Sequence, residues 1–254
     1  MVGMSKAKPE PKALPKRFYS AANVQQNSEA FCITLDGKTV KTPAGNLLQH
    51  KNELLLQHIA TEWNAQNEVI NTDSMPLTRL LNITLDRAPL DRAAWLEEIA
   101  RYCDTDLLYY REPLQQNAVQ SDASRELNLL QQKYFSPVLD WCSKTHGLAF
   151  TITEGVMPAT QPPESLAKLA TLFAAANDAE LTALAMMIPM LGSALLALAL
   201  WKGAITLENA LAAARLDETT QAKYWGEDAE IVAHWQPKAR DITAAAFFLT
   251  HNKL

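Results

Sequence analysis

Two patterns predict an α+β chain, with a small β-rich N-terminal domain followed by a larger, mainly α-helical C-terminal domain. Between residues 17 and 48, Phe31, Ile33 and Leu35 alternate with polar neighbours, and Asp36-Gly37 supplies a tight hairpin turn. From Met75 onward apolar residues recur every three or four positions, the spacing of helices with one buried face. The change places a boundary between 70 and 76. The chain then divides into a disordered leader over 1–15, a β-rich domain over 16–74 and a helical domain over 75–254. With 254 residues, 48% of them hydrophobic, it has enough apolar material for a substantial core.

Thr39 to Thr42 returns antiparallel to the first strand, and Pro43-Ala44-Gly45 marks a second turn. Leu55, Ile59 and Trp63 share one face of a helix over 52–66, and Val69-Ile70 reads as a last short strand. Pro76 suits a first helical position, where its missing N–H is not needed, and Leu77, Leu80, Leu81 and Leu85 line the helix it opens. Trp95, Ile99 and Tyr102 repeat the pattern after Pro89. Leu127, Leu130 and Tyr134 repeat it up to Pro137, and a short helix through Cys142 ends at Gly147. Leu148, Phe150 and Ile152 alternate as one isolated strand. Further helices follow at 164–176, after Thr206 as cap, at 217–234, and at 239–250 beyond Pro237.

Leu181 to Trp201 carries no charge over 21 residues, long enough to span a bilayer. Pro189, Gly192 and Ser193 break it, Asn177 and Asp178 are cap residues before it, and Gly203 stops it. Two buried core helices are therefore expected, and no membrane insertion. The net charge of −5 provides no basic footprint for nucleic acid. Cys32, Cys103 and Cys142 are far apart and odd in number, as expected of free thiols in a reducing compartment. The basic N-terminus lacks the apolar run of a secretory signal, and Pro9, Pro11 and Pro15 oppose the amphipathic helix of a mitochondrial presequence. A bacterial cytoplasmic protein is the expectation, with the mitochondrial matrix as the alternative.

No phosphate-cradling glycine loop or nucleophile elbow is present, and no cofactor is expected. His58 and Glu62 lie one helical turn apart but lack a second histidine, so they read as a surface pair and no metal site is expected. Asp104 and Asp106 suit helix capping better than cation binding. An enzyme with a small-molecule site between the two domains, using Asp104, Asp106 or His58, is the alternative function.

The most unusual segment is 215–230. Read as one helix, Glu218, Gln221, Trp225 and Asp228 form a single stripe, extended by Ala214 and Val232. Such a stripe normally carries aliphatic residues. Here it carries two acids, an amide and a Trp, with Gly226 in the middle at a cost of about 1 kcal/mol against Ala in a helix. A large aromatic ringed by polar groups suits protein–protein contact. The structural alternative is a docked helix whose acids pair with an internal Arg.

The segments KRFYSAANV (16–24), LDGKTVKTPAG (35–45), EWNAQ (62–66), MPLTRLLN (75–82), DTDLLYYR (104–111), LGSALLALAL (191–200) and LDETTQAKYWGEDAE (216–230) occur together and in this order. In them the chain resembles the ATP12 family, assembly chaperones of the F1 part of ATP synthase. Phe135-Ser136 and Tyr109 depart from the family's usual residues at positions that concern packing. The resemblance implies a β-containing N-terminal domain, a helical C-terminal domain, and binding of the free F1-ATPase α subunit before it joins β, without ATP hydrolysis. It places functional weight on Glu218, then Gln221, Trp225, Gly226 and Asp228, with Arg79 as an internal counter-charge. A monomer is expected of a protein that caps a client surface.

Overall fold

Asp36 and Gly37 adopt φ of 46° and 82° in the computed structural model, so the Asp-Gly turn forms where the sequence places it. The structure describes residues 14–113, 122–155 and 157–252. Most of the expected leader lies outside them.

The turn joins β2 (Phe31–Leu35) to β3 (Lys38–Thr39). β1 (Ala22–Gln26) pairs antiparallel with β2, Val24 opposite Ile33, and β4 (Gln49–His50) also pairs with β2. The Asp36 carboxylate accepts N–H bonds from Ser20 and Ala21, both at 2.9 Å, which hold it below the usual carboxylate range. Val69 forms an isolated bridge with Lys16 in place of the expected short strand.

Helix α1 (Glu53–Asn64) buries Leu55, Leu56 and Ile59. The residues at its end join the sheet to the helices. Glu62 accepts bonds from the N–H groups of Leu77 and Thr78, each at 2.8 Å, and from the Thr78 hydroxyl at 2.7 Å. It thereby caps α2 (Pro76–Asp86), whose own N-cap residue Met75 offers no side-chain acceptor. Asn64 donates to and accepts from the backbone of Ala22, both at 2.8 Å, standing in for a neighbouring strand. Tyr19 donates its hydroxyl to the Trp63 carbonyl at 2.6 Å.

α3 (Ala88–Asp104) is followed by a 3-10 turn, Leu107–Tyr109, and β5 (Tyr110–Arg111). α4 (Asp122–His146) precedes β6 (Thr153–Glu154), which pairs in parallel with β5. The remaining helices are α5 (Pro163–Ala174), α6 (Asp178–Leu191), α7 (Ala194–Trp201), α8 (Leu207–Ala213), α9 (Leu216–Trp225) and α10 (Ala229–His251). The charge-free stretch forms two buried helices, α6 and α7, separated at Gly192 and Ser193, while Pro189, expected to share in the break, lies inside α6. Among the described residues no helix is long and apolar enough to cross a membrane.

Asp106 is fully buried and fastens the start of α7. Its carboxylate accepts from the Ser193 hydroxyl at 2.7 Å and from the N–H groups of Leu195 and Leu108 at 3.0 Å. One buried apolar cluster runs from Ile33 and Leu48 through α1 and α2 to α6, α7 and Phe248 of α10.

Three helix boundaries differ from the sequence reading. Pro137 lies inside α4 and Pro237 inside α10, where each was expected to end a helix. The carbonyls they deprive of a partner belong to Lys133 and Ala233, which are exposed to water. The expected single helix over 217–234 is instead two, α9 and α10. The expected strand at 148–152 is displaced to Thr153–Glu154.

Candidate partner-binding site

Gly226 ends α9 with φ 96° and ψ 153°, a conformation essentially restricted to glycine. Its N–H still donates to the Ala222 carbonyl at 2.9 Å, so the helix finishes cleanly before the chain turns. Asp228 then caps α10, accepting from the Glu230 N–H at 2.8 Å. The helical stripe is therefore folded into a corner.

The corner encloses an open cleft of about 580 Å³, lined by Glu218, Gln221, Trp225, Gly226, Asp228 and Ile231 among others. A second cleft of about 390 Å³ adjoins it, sharing Glu218 and Ile231 and bounded by Glu230, His234 and Trp235. Trp225 is 71% exposed, and Ile231 and Tyr224 are also exposed. A Trp left this open in water forfeits several kcal/mol that burial would recover, on the order of 2–3 kcal/mol for a large apolar side chain. Glu227, Asp228 and Glu230, which line the two clefts, have no ion-pair partner among the described residues, whereas the cations Arg215 and Lys223 are paired with Glu218 and Glu126, so the rim is acidic. Burial and the neighbouring carboxylates of Glu112 and Glu218 raise the Asp217 carboxyl above its usual range.

Two anchors fix the corner. Arg215 reaches Glu218 at 3.3 Å and stacks over the Trp235 ring at 4.8 Å, joining α9 to α10. Lys223 pairs with Glu126 of α4 at 2.5 Å, and the Tyr224 hydroxyl donates to the same carboxylate at 2.9 Å. These hydrogen bonds lower the Glu126 carboxyl below its ordinary range.

The structure brings Glu218, Gln221, Trp225, Gly226 and Asp228 to one cleft, whereas Arg79 lies elsewhere and bonds Asp241 of α10. Glu218 takes its counter-charge from Arg215, three residues earlier, a spacing legible in the sequence. Ile231 and Trp235 escaped the sequence reading, although Trp235 follows Asp228 by seven residues and so lies close to the stripe's face even on a continuous helix. Asp106 supports the core, and His58 packs against Phe247 at a tilt of 52° with ring centres 4.4 Å apart. Among the described residues no group of three or more His, Cys, Asp or Glu could hold a metal ion.

A family model described as ATP12 chaperone protein matches residues 16–143. The mitochondrial Atp12 protein of Schizosaccharomyces pombe is 24% identical over 233 residues, covering 87% of this chain and 78% of the relative. The crystal structure of Atp12 from Paracoccus denitrificans is similar with a TM-score of 0.81 at 30% identity, covering 94% of this chain and 99% of that one. A candidate chaperone from Agrobacterium tumefaciens gives a TM-score of 0.83 at 39% identity, covering 98% and 93%.

Proposed function

The chain belongs to the ATP12 chaperone family, and from that premise we propose that it is an ATP-independent assembly chaperone that binds the free F1-ATPase α subunit until that subunit joins β. The observation that carries this reading is Trp225, held 71% exposed beside an open cleft with an acidic rim. An aromatic anchor surrounded by polar groups is the composition of a protein-binding hot spot. A free subunit exposes surface meant for its neighbour and is an aggregation hazard. A protein that covers that surface lowers the concentration of the sticky form by mass action.

Release requires moderate affinity, which a cleft with a polar rim provides better than a closed apolar one. In this proposal Glu218, Gln221, Trp225, Gly226 and Asp228 form the client contact, and Arg79 supports the fold. The helical part from 75 onward presents the contact, and the sheet over 16–74 buttresses the helices through Glu62 and Asn64.

Co-expression with the α subunit of the same organism tests the reading, scored by soluble α and by co-elution on size exclusion. A 1:1 complex that dissociates when β is added is the expected result. No complex and no gain in soluble α would overturn the proposal.

A further inference from the structure

A third open pocket, of about 390 Å³, lies between α4 and the chain leading into β6. Arg111, Ser136, Asp140, Ser143, Phe150 and Ile152 line it. None of these residues belongs to the α9–α10 corner.

Arg111 is a half-buried cation with no carboxylate within ion-pair distance among the described residues. Its guanidinium is nonetheless fixed. One terminal nitrogen donates to the carbonyls of Leu108 at 2.7 Å and Tyr110 at 3.3 Å, and the group stacks over the Phe135 ring at 4.9 Å. The other terminal nitrogen and Nε have no bonded acceptor among the described residues. Burial pulls the Arg111 pKa down to about 10, and no nearby acid restores it. A partly desolvated, immobilised guanidinium with unused donors is prepared for a planar anion.

The adjoining backbone is equally prepared. Ala149 donates its N–H to the Ser165 hydroxyl at 2.9 Å, and Thr151 exchanges N–H and C=O bonds with the Gln161 side chain at 3.0 and 2.9 Å. Thr153 lies in register with Tyr110, and Gly155 donates to the Arg111 carbonyl at 2.9 Å. The odd-numbered residues are thus satisfied on one side of an extended run. Between these satisfied positions, the N–H groups of Phe150 and Ile152 have no bonded partner among the described residues. This is an unpaired strand edge beside an unpaired cation.

We propose that this pocket docks an extended peptide segment of a partner protein, which adds along residues 150–152 and pairs an acidic side chain with Arg111. The pocket is shallow and open, which suits a strand lying across it better than an enclosed small molecule. Asp140, on the same wall, disfavours a second carboxylate, so the segment carries a single acid flanked by neutral or basic residues.

The probe is the capped pentapeptide Val-Thr-Glu-Thr-Val, titrated into the ¹⁵N-labelled full chain. Its Glu-to-Lys counterpart and sodium acetate are titrated in parallel. The Glu peptide is expected to shift the amides of Phe150 and Ile152 and the Nε–H of Arg111. The Lys peptide should bind at least about tenfold more weakly, the scale of one lost charge-assisted pair. Arg111→Gln should abolish the response. Because Arg111 also holds two carbonyls, Ile152→Asp is the second variant: it leaves those contacts intact, places a competing carboxylate at the exposed mouth, and should weaken the Glu peptide by a similar factor. No response to the Glu peptide, equal affinity for the Lys peptide, or acetate matching the peptide at the same residues would each overturn the proposal.

Discussion

Arg79 of α2 bonds Asp241 of α10 at 2.5 Å across 162 residues of sequence. Both side chains are largely buried, 28% and 16% exposed, and Arg240 bonds the other oxygen of Asp241 at 2.9 Å. The contact closes the last helix onto the one that Glu62 caps. Arg79, in the MPLTRLLN segment, thus ties α2 to the same helix whose first turns line the cleft.

Removing one member of this pair leaves the other partly buried with a poorer partner: Asp241 keeps only Arg240, and Arg79 keeps only Asp73 at 3.9 Å. Arg79→Met or Asp241→Asn should each cost about 2–3 kcal/mol in urea denaturation. The double variant should recover part of that loss, since the one charge it strands, Arg240, is exposed to water. Folded protein of either single variant should retain client binding.

Asp106 offers a sharper test of the core. Complete burial pushes its carboxyl up to about 6, opposed by the bonds it accepts from Leu108, Ser193 and Leu195. The folded chain therefore binds this proton more tightly than the unfolded chain, where an Asp titrates near 4, as about 3.9 in peptides. The group's favourable contribution is complete below about pH 4 and is lost as pH rises through about 6. Asp106→Asn does not titrate, so the advantage of wild type over this variant should be greater at pH 4.5 than at pH 7.5, measured by urea denaturation at both. An advantage that grows with pH would contradict this. Asp106→Ala strands three buried donors and should cost on the order of 3 kcal/mol or more at either pH.

Gly226 should be intolerant for a reason of backbone alone. A Cβ there would meet nothing within 4 Å, but φ 96° with ψ 153° is strained for any other residue. Gly226→Ala should therefore cost about 1–3 kcal/mol locally, relieved by re-angling the α9–α10 corner. The expected result is a small change in melting temperature and a large loss of client affinity, read by thermal unfolding beside pull-down of α.

The sequence reading recovered what local chemistry decides. Asp36-Gly37 formed its turn, Asn177 capped α6, and Gly192 took the left-handed conformation that ends it; Ser193, read only as part of the break, caps α7. It erred where a local rule meets a tertiary one. Pro137 and Pro237 read as stops, yet long helices packed along their length continue past a proline when the orphaned carbonyl reaches water. The stripe at 218–228 was chosen for its composition and its residues do share one cleft. Its helical continuity was wrong, because Gly226 followed by an Asp two residues later is a C-terminal stop plus a new N-cap. The partners of Arg79 and Asp106 were out of reach, since pairings over such sequence distances depend on how the helices pack.

The most direct measurement is the affinity of purified F1 α subunit for wild type, Trp225→Ala and Glu218→Lys, each checked for fold by circular dichroism and melting temperature. Trp225 is too exposed, and the Arg215–Glu218 pair too solvated, for either change to cost more than about 1 kcal/mol of stability. Both variants should remain folded, while α binding falls by about thirtyfold or more, the loss of a 2 kcal/mol hot spot. Full affinity in both folded variants would show that the α9–α10 corner is not where this chain meets its client.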